Sequence, residues 1–439
     1  MVHVKGYGIR DTDNHPVTPN SLFLLGSLTK SFTALAVMQL VEAHKLEFDA
    51  PVQRYLPNFR LADPVASAQI TVRQLLNHQS GISTRDGMAG FAATDTAADA
   101  LQHRIHTLSD LRLSAEPGAR FEYSNLNYVI LGAAIEAVSH EPYGQYLRQH
   151  VFLPLGMRTS TASEDEALRS EVALGARYWF GHAIAANRVP HLESNLPAGY
   201  VYSNAGDMGR YLMAQLNGGQ VGNARVLSAT GIDTLHRSAV AAWVHGMYAM
   251  GWTYDAADPS LIVHEGATAN YHTYMAIDLD AGWGCALLLN ANANLTGPHL
   301  SELGPQIVRQ LRGEVATPLQ LEPGLPLPLV ALLALLTGQA LFICWIGATI
   351  WRKWNEPAQK LPNKLRKVLC IALSMAVAIM IVAGLSIAVP GLYGMSPLTL
   401  MTMTPDAGWL LIGNSAMAVI WCVMLILRAL KNNRKTVAT

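Results

Sequence analysis

Three long apolar segments in the last quarter of the 439-residue chain restrict its fold more than any other feature. They cover residues 329–350, 368–389 and 409–427, and none of them contains Asp, Glu, Lys or Arg. Each has about 19–22 residues, the length that an α-helix needs to cross a bilayer core of about 30 Å. Because buried helices of soluble proteins rarely occur as three such segments in succession, the sequence predicts three transmembrane helices.

The distribution of Lys and Arg around these segments predicts their orientation. The loop after the first segment carries six basic residues, the loop after the second carries none, and the tail after the third is again basic. Since basic residues favour the cytoplasmic side, we expect the first loop and the C-terminal tail in the cytoplasm. The predicted organisation is an extracytoplasmic domain at 1–320, a Pro-rich linker at 321–328, transmembrane helices within 329–430 and a basic cytoplasmic tail at 431–439.

The composition of the region before residue 325 argues against several classes of function. Acidic residues slightly outnumber basic residues there, so nothing favours binding to nucleic acid. No spacing of Cys and His is typical of a zinc site, and we therefore expect neither a metal nor another cofactor. The predicted partners are a small peptide, ester or amide substrate and the lipid bilayer.

The same region combines helical patterns with short strand patterns. The segment at 31–46 is apolar on almost all sides, which is typical of a buried helix. Another helix is predicted from about Asn127, after the turn at Pro117 and Gly118. Short runs rich in β-branched or aromatic residues, within 248–291, indicate an antiparallel meander. Helices followed by such a meander predict an α+β fold.

Ser27 and Lys30 stand three residues apart where the buried helix is predicted to begin, in the sequence GSLTKSF. Residues i and i+3 share one face of a helix, so the lysine amine can reach the serine hydroxyl. A lysine accepts that proton only when burial and positive potential lower its pKa from about 10.4. The start of a helix supplies such a potential, together with backbone N–H groups for an oxyanion. By itself the pair is weak evidence, since a Ser N-cap and a surface Lys give the same letters.

Two further elements follow this pair in the chain. Tyr123 and Asn125 come just after the Pro-Gly turn, and a phenol near a cationic lysine can act as a base or a proton relay. His264 and Gly266 end a strand pattern, where glycine lets an extended substrate approach the strand edge. The N–H of the next residue, Ala267, is a candidate oxyanion donor. Taken singly, each element is equally compatible with a role in packing or in a turn.

In this order, S-x-x-K, Y-S-N and H-x-G resemble the motifs of the serine β-lactamase and penicillin-binding-protein superfamily. The chain looks most like the class C branch, where tyrosine replaces the serine of the second motif. Further stretches are similar to family signatures: LLNHQSGI at 75–82, PGARFEYSNLNYVILG at 117–132, PLGM at 154–157, PAGYVYSNAGDMGRYL at 197–212 and MGW at 250–252. The resemblance implies a β-lactamase/transpeptidase-like fold, with an antiparallel sheet flanked by helices and a helical subdomain.

The resemblance also implies roles for the first three residues of the motifs. Ser27 would be the nucleophile and Lys30 its activating partner. Tyr123 would be the general base or the proton relay. The expected reaction is acyl transfer through an ester on Ser27, followed by hydrolysis of that ester.

The remaining motif residues are expected to bind the substrate. Asn125 would form a hydrogen bond with a substrate amide, and the N–H groups of Ser27 and Ala267 would form the oxyanion hole beside Gly266. His264 stands where many relatives have lysine, so it would hold a carboxylate or tune the tyrosine. This difference favours the peptidase or esterase branches over the β-lactamases.

The N-terminus differs from that of most relatives. They usually carry a helix and a strand before the equivalent of KGYG at 5–8, and no apolar signal segment precedes it here. We therefore expect that the chain lacks its natural start. Such a loss would remove an edge strand and a packing helix from the sheet.

The expected function is that of a membrane-anchored serine hydrolase, most of all a peptidase on D-amino-acid-containing or cell-wall-like peptides. A carboxylesterase or a β-lactamase of the same superfamily is an alternative, because fold alone does not choose among these activities. A non-catalytic penicillin-binding or sensor domain is an alternative of another class. A transporter is disfavoured, since the predicted spans carry no charge. His78, Ser80 and His272 are expected to serve turns and packing.

Overall fold

The computed structural model contains a six-stranded antiparallel sheet with helices around it, followed by long apolar helices. It describes residues 3–89, 96–97, 99–186, 191–293, 299–315, 325–352 and 364–431. The chain divides into two compact units. The first holds the described residues of 1–178, 183–293 and 298–322, and the second holds those of 179–182 and 323–439.

The strands are short, in keeping with the brief apolar runs of the sequence. They are β1 Phe23–Leu24, β2 Ala176–Trp179, β3 His182–Ala185, β4 Tyr202–Ser203, β5 Gln220–Val221, β6 Ala224–Arg225, β7 Val240–Ala241, β8 Gly246–Ala249, β9 Trp252–Asp255, β10 Asp258–Ala267, β11 His272–Asp278, β12 Trp283–Leu289 and β13 Ala291–Asn292. The six-stranded sheet has the order β12-β11-β10-β9-β8-β7, and every neighbouring pair is antiparallel. Its strands β8 to β12 cover the region of the predicted meander, but the run predicted as one strand at 248–254 is two strands, β8 and β9, because Met250 and Gly251 form a turn with positive φ.

The helices of the first unit vary from single turns to four turns. They are α1 Thr29–Glu42, α2 Pro64–Ser67, α3 Val72–Leu76, α4 Thr84–Met88, α5 Ala100–His106, α6 Asn125–Ser139, α7 Tyr143–Leu147, α8 Leu153–Leu155, α9 Glu164–Leu168, α10 Leu196–Gly199, α11 Ala205–Leu216, α12 Ala229–Arg237 and α13 Leu303–Leu311. Short 3₁₀ turns lie at Gly26–Leu28, Val52–Arg54, Glu193–Asn195 and Leu300–Glu302, and a π-turn at Arg148–Phe152 joins α7 to α8.

Helix α1 is buried on nearly every side, as its uniformly apolar sequence predicts. Its polar residues Thr29, Lys30, Ser31 and Thr33 are buried as well. The helix ends at Glu42, earlier than the predicted residue 46, because the chain turns at His44, whose φ is +54°. A polar group at the start of this helix is therefore held inside the unit, where its partners must be protein groups.

Helix α6 begins at Asn125, two residues before the predicted start. Ser124 is still extended, with φ −142° and ψ 127°, so the change from strand-like to helical backbone falls between Tyr123 and Asn125. The helix packs against α1, α3 and α10. Its first residues consequently lie beside the start of α1.

The second unit consists of apolar helices: α14 Leu327–Arg352, α15 Lys364–Ala383, α16 Val389–Leu392, α17 Pro397–Met403 and α18 Pro405–Lys431, with a π-turn at Gly384–Ala388. Three segments are long and apolar enough to span a membrane: Leu327–Arg352, Ile371–Leu392 and Pro405–Arg428. They contain most of the three predicted spans, which confirms that prediction at the level of helix length and composition. Half of the predicted linker, residues 353–363 of the basic loop and nearly all of the tail lie outside the described residues.

Polar side chains join two of these apolar helices. Gln339 of α14 donates from Nε2 to Asn414 Oδ1 of α18 over 2.9 Å, and Trp421 Nε1 donates to Gln339 Oε1 over 3.2 Å. Asn414 Nδ2 donates in turn to the Leu332 carbonyl. Such bonds satisfy the polar groups within an apolar environment and fix the two helices relative to each other.

Candidate active site

Ser27 lies in the 3₁₀ turn Gly26–Leu28 that leads directly into α1. The end of β10 packs closely against this turn. A side chain at Gly26, whose φ is +56°, would approach the Ala267 nitrogen to 2.9 Å, and one at Gly266 would approach the Ser27 nitrogen to 3.1 Å. The two glycines thus allow the backbone of the serine turn and that of Gly266 and Ala267 to approach each other closely.

The amine of Lys30 is completely buried and is surrounded by three oxygen atoms. Nζ lies 3.0 Å from Ser27 Oγ, 2.8 Å from Asn125 Oδ1 and 2.7 Å from the carbonyl oxygen of Ala198. Burial holds the pKa of Lys30 well below its usual 10.5, because the charged form has lost its hydration. The neutral amine is therefore accessible at a lower pH than for an exposed lysine.

These neighbours fix the direction of the lone pair in the neutral amine. The Asn125 oxygen and the Ala198 carbonyl can only accept, so they take the two remaining N–H groups of Lys30. The lone pair then faces Ser27 Oγ, the only one of the three oxygens that carries a proton. Lys30 is thus oriented to accept the Ser27 proton.

Tyr123 completes the contacts of the serine hydroxyl. Its Oη donates to Ser27 Oγ over 2.9 Å, and its ring centroid lies 5.0 Å from Lys30 Nζ. Burial raises the pKa of the Tyr123 phenol above its ordinary value of 10, and the bond to Ser27 only partly offsets this. The phenol is therefore neutral in the resting site, with a proton to donate.

Asn125 lies within the same group and contacts Lys30. Its side chain is buried, with Oδ1 accepting from Lys30 and Nδ2 directed at the Gly87 carbonyl over 3.4 Å and at Met88 Sδ over 3.5 Å. In this arrangement Asn125 supports Lys30. The predicted hydrogen bond between Asn125 and a substrate amide stays a prediction.

His264 is a neutral imidazole that is 4% exposed. Its Nδ1–H donates to the Glu265 carbonyl over 2.7 Å, and the described residues offer its Nε2 no partner. Burial lowers the pKa of His264 from 6.5 to about 3, and the charge of Lys30 adds to this effect, although the bond to Glu265 opposes it. A neutral ring offers no charge to a carboxylate. It offers the lone pair of Nε2 as a hydrogen-bond acceptor.

The structure thus brings Ser27, Lys30, Tyr123 and Asn125 into direct hydrogen-bond contact, with Gly266 and Ala267 against the serine turn. The sequence analysis did not predict two residues that contact the site. The carbonyl of Ala198 accepts from Lys30, and only the position of Ala198 within the PAGYVYSN signature could have indicated this contact. His78, assigned to a turn, packs its ring against Tyr123.

A group of metal-ligand atoms also lies at the surface. Asp11, Asp13 and His15 hold their side-chain ligand atoms within 4.8 Å of one another, and His15 Nδ1 lies 2.9 Å from an Asp11 oxygen. Asp13 and His15 are exposed, and such groups of acidic residues are common at protein surfaces without a metal ion. We therefore do not assign them to the candidate site.

Comparison with known proteins agrees with this geometry. The family model described as Beta-lactamase matches residues 1–301, more than half of the chain. The chain belongs to the β-lactamase family. Its resemblance to the serine β-lactamase and penicillin-binding-protein superfamily, and the predicted β-lactamase/transpeptidase-like fold, are thereby confirmed.

Relatives of this β-lactamase-family protein include penicillin-binding proteins and an amidase. Penicillin-binding protein 4 of Amycolatopsis lactamdurans is 31% identical over 68% of this chain and 78% of its own. Protein flp of Staphylococcus aureus strain MW2 is 26% identical over 70% of this chain, which spans only 61% of that relative's length. The solved D-amino acid amidase from Ochrobactrum anthropi SV3, in complex with L-phenylalanine amide, is 25% identical, with a TM-score of 0.55 over 65% of this chain and 81% of that one. Membership of a superfamily of hydrolases follows.

Proposed function

We propose that this protein is a membrane-anchored serine hydrolase that forms an acyl-enzyme on Ser27. The proposal rests above all on the position of Ser27 Oγ, which lies 3.0 Å from Lys30 Nζ and 2.9 Å from Tyr123 Oη. A serine hydroxyl held between a buried amine and a neutral phenol has a base on one side and an acid on the other. A serine that only caps the start of a helix requires neither a buried amine nor a phenol beside its hydroxyl.

The proton movements follow from the directions of these hydrogen bonds. Neutral Lys30 takes the proton of Ser27 as Oγ forms its bond to the substrate carbonyl carbon. The negative charge on the carbonyl oxygen is stabilised by the N–H groups of Ser27 and Ala267. When the bond to the leaving group breaks, Tyr123 gives that group its phenolic proton and recovers one from protonated Lys30. Water then attacks the ester, with the same groups moving its proton in the opposite sense.

We propose peptides or amides that contain D-amino acids, including cell-wall-like peptides, as the substrate class. The support comes from the relatives, which include penicillin-binding proteins and a D-amino acid amidase. The neutral state of His264 adds a physical reason, because this imidazole provides no positive charge to hold a free carboxylate. β-Lactams carry such a carboxylate, whereas internal amides do not.

Intact-protein mass spectrometry tests the nucleophile. The purified full chain is incubated with a fluorophosphonate or, separately, with a penicillin, in parallel with Ser27→Ala. We expect a covalent adduct of the fluorophosphonate on the native chain and none on the variant, with penicillin reacting more slowly. A folded native chain that forms no adduct with either reagent would contradict the proposed reaction and favour a binding or sensor domain.

A matched pair of substrates tests the substrate class. The native chain is assayed for release of ammonia from D-phenylalanine amide and from its L enantiomer, and for release of D-alanine amide from a peptide ending in D-alanyl-D-alanine amide, which carries no free carboxylate. We expect turnover of the D-configured amide in preference to the L form, and none by Ser27→Ala. Equal rates for both enantiomers, or hydrolysis of simple esters alone, would favour the esterase alternative.

A further inference from the structure

His78 packs against Tyr123, the residue whose phenol donates to the serine hydroxyl. The imidazole is completely buried, and its ring centroid lies 4.3 Å from that of Tyr123, with 38° between the planes. The residue follows α3 and has φ +55°, in the left-handed region where Asn, Asp and His are more common than other side chains. Because the ring is buried in the core, its polar atoms need partners there.

His78 also binds the backbone on both sides of Tyr123. Its carbonyl oxygen accepts from the Glu122 N–H over 2.8 Å, and its Nδ1 accepts from the Ser124 N–H over 3.2 Å. The same Nδ1 accepts from Asn127 Nδ2 over 2.9 Å. The residues before and after Tyr123 are thus fixed by one histidine, while the face of the Tyr123 ring rests on its imidazole.

A chain of hydroxyl groups sets the tautomer of this ring. Tyr128 Oη donates to the Leu76 carbonyl over 2.9 Å, and Tyr248 Oη donates to Tyr128 Oη over 3.3 Å. The Tyr248 oxygen is therefore left to accept from His78 Nε2–H, at 3.2 Å. Nδ1 carries the lone pair, in agreement with the two donors that face it. Protonation of Nδ1 would oppose both donors, and burial together with the charge of Lys30 already holds the pKa of His78 well below 6.5.

We propose that His78 is a positioning residue for Tyr123: its neutral ring and its Nδ1 acceptor hold the phenol where Oη reaches Ser27 Oγ. The proposal rests on the proposed function, because it concerns the proton relay of that same reaction. The Tyr123–Ser27 bond is 2.9 Å long, so a displacement of about 1 Å breaks it. Misplacement by this amount costs reactions of this type about 10²-fold in rate.

Two substitutions of His78 distinguish the effect of its Nδ1 hydrogen-bond acceptor from the effect of its aromatic ring. His78→Phe keeps an aromatic ring against Tyr123 but leaves the Ser124 N–H and Asn127 Nδ2 without their acceptor. His78→Asn tolerates the positive φ and places Oδ1 close to the position of Nδ1, which retains the acceptor. We expect His78→Phe to lower the maximal rate of fluorophosphonate labelling about 10²-fold, with little change in reagent affinity. His78→Asn should be labelled at least about tenfold faster than His78→Phe.

His236 provides a matched control for general loss of stability. It is also a buried histidine, with Nε2 2.8 Å from Gln215 Oε1 and its ring edge-on to Trp252. His236→Phe, examined at a temperature where each variant is folded by circular dichroism, should label at the native rate. A purely structural role for His78 would make both His→Phe variants behave alike.

The Tyr123→Phe background gives the decisive comparison. If His78 acts through the phenol, His78→Phe causes no further loss of labelling once the phenolic oxygen is absent, so the two effects are not additive. Full additivity, or native labelling by His78→Phe, would overturn the inference. A folded native chain that is not labelled at Ser27 would overturn the proposed function, and this inference with it, before any His78 variant is compared.

Discussion

At the scale of single residues, the chemistry of the site depends on which atoms carry protons. Tyr123 Oη donates to Ser27 Oγ, and Ser27 Oγ lies 3.0 Å from Lys30 Nζ. Burial lowers the pKa of the amine and raises that of the phenol, which favours a neutral amine and a protonated phenol. We propose on this basis that neutral Lys30 is the base that accepts the Ser27 proton and that Tyr123 is the relay.

This assignment predicts the pH dependence of labelling. Protonated Lys30 has no lone pair, so the rate should rise with pH as Lys30 loses its proton and reach a plateau well below its usual pKa of 10.5. The rate should not fall again up to about pH 10, because the raised pKa of Tyr123 keeps the phenol protonated. Fluorophosphonate labelling across this range, with Lys30→Met as the control that lacks the rise, provides the measurement. A bell-shaped profile would indicate tyrosinate or another group as the essential base.

The sequence predicts the site residues whose spacing is local, but it does not predict which side chains contact them. The S-x-x-K spacing is local, since one helical turn joins Ser27 to Lys30, and the motif order then pointed to Tyr123. The partners of the side chains come from elsewhere in the chain. Asn125 contacts Lys30, and His78 contacts the Ser124 N–H across 46 residues, through the packing of α3, α6 and α1. Spacing in the sequence carries no information about such packing.

At the scale of elements, the close approach of β10 to the serine turn forms the proposed oxyanion hole. A Cβ at Gly266 would lie 2.1 Å from the Leu25 carbonyl oxygen and 2.2 Å from Thr273 Oγ1. Both atoms belong to buried groups that hydrogen-bond to each other over 2.6 Å. The strand would therefore have to move away from the turn to admit a side chain.

Gly266→Ala should for this reason weaken catalysis more than folding. We expect labelling of Ser27 to fall about 10²-fold, as for the loss of one oxyanion donor, while the variant remains folded. Gly284→Ala on β12 is the matched control, because its Cβ would meet the Ala276 carbonyl oxygen at 3.3 Å, which small shifts relieve. The second-order rate constant of labelling and the thermal midpoint are measured for both variants. Equal rates for the two would show that the N–H of Ala267 has no part in the reaction.

Long patterned elements were predicted better than short ones. The buried α1 and the strands β10 to β12 follow from the apolar patterns of the sequence, within a few residues at each end, whereas β8 and β9 share one predicted run. Two-residue strands such as β1 and β4 have no pattern of their own. They exist because Phe23–Leu24 and Tyr202–Ser203 are brought together by the packing around them.

At the scale of the whole chain, the apolar helices and the basic residues determine where the hydrolase unit is expected. An odd number of spans leaves the two flanking regions on opposite sides of a membrane. The loop after Arg352 and the tail after Arg428 are rich in Lys and Arg, whereas the loop after Val389 has none. We propose on this basis that the hydrolase unit is extracytoplasmic and the C-terminus cytoplasmic.

Single cysteines test this orientation. In a chain whose native cysteines are replaced by serine, Val315→Cys reports on the hydrolase unit, where Val315 is 91% exposed, and Gln359→Cys reports on the basic loop. A membrane-impermeant maleimide should label Val315→Cys in intact spheroplasts, and Gln359→Cys only after the membrane is permeabilised. Because the two positions flank one span, they must differ if that helix crosses the membrane. Labelling of both positions in intact spheroplasts would mean that the first apolar helix does not cross the membrane. The reverse pattern would place Ser27 in the cytoplasm, where cell-wall-like peptides of the outer compartment could not reach it.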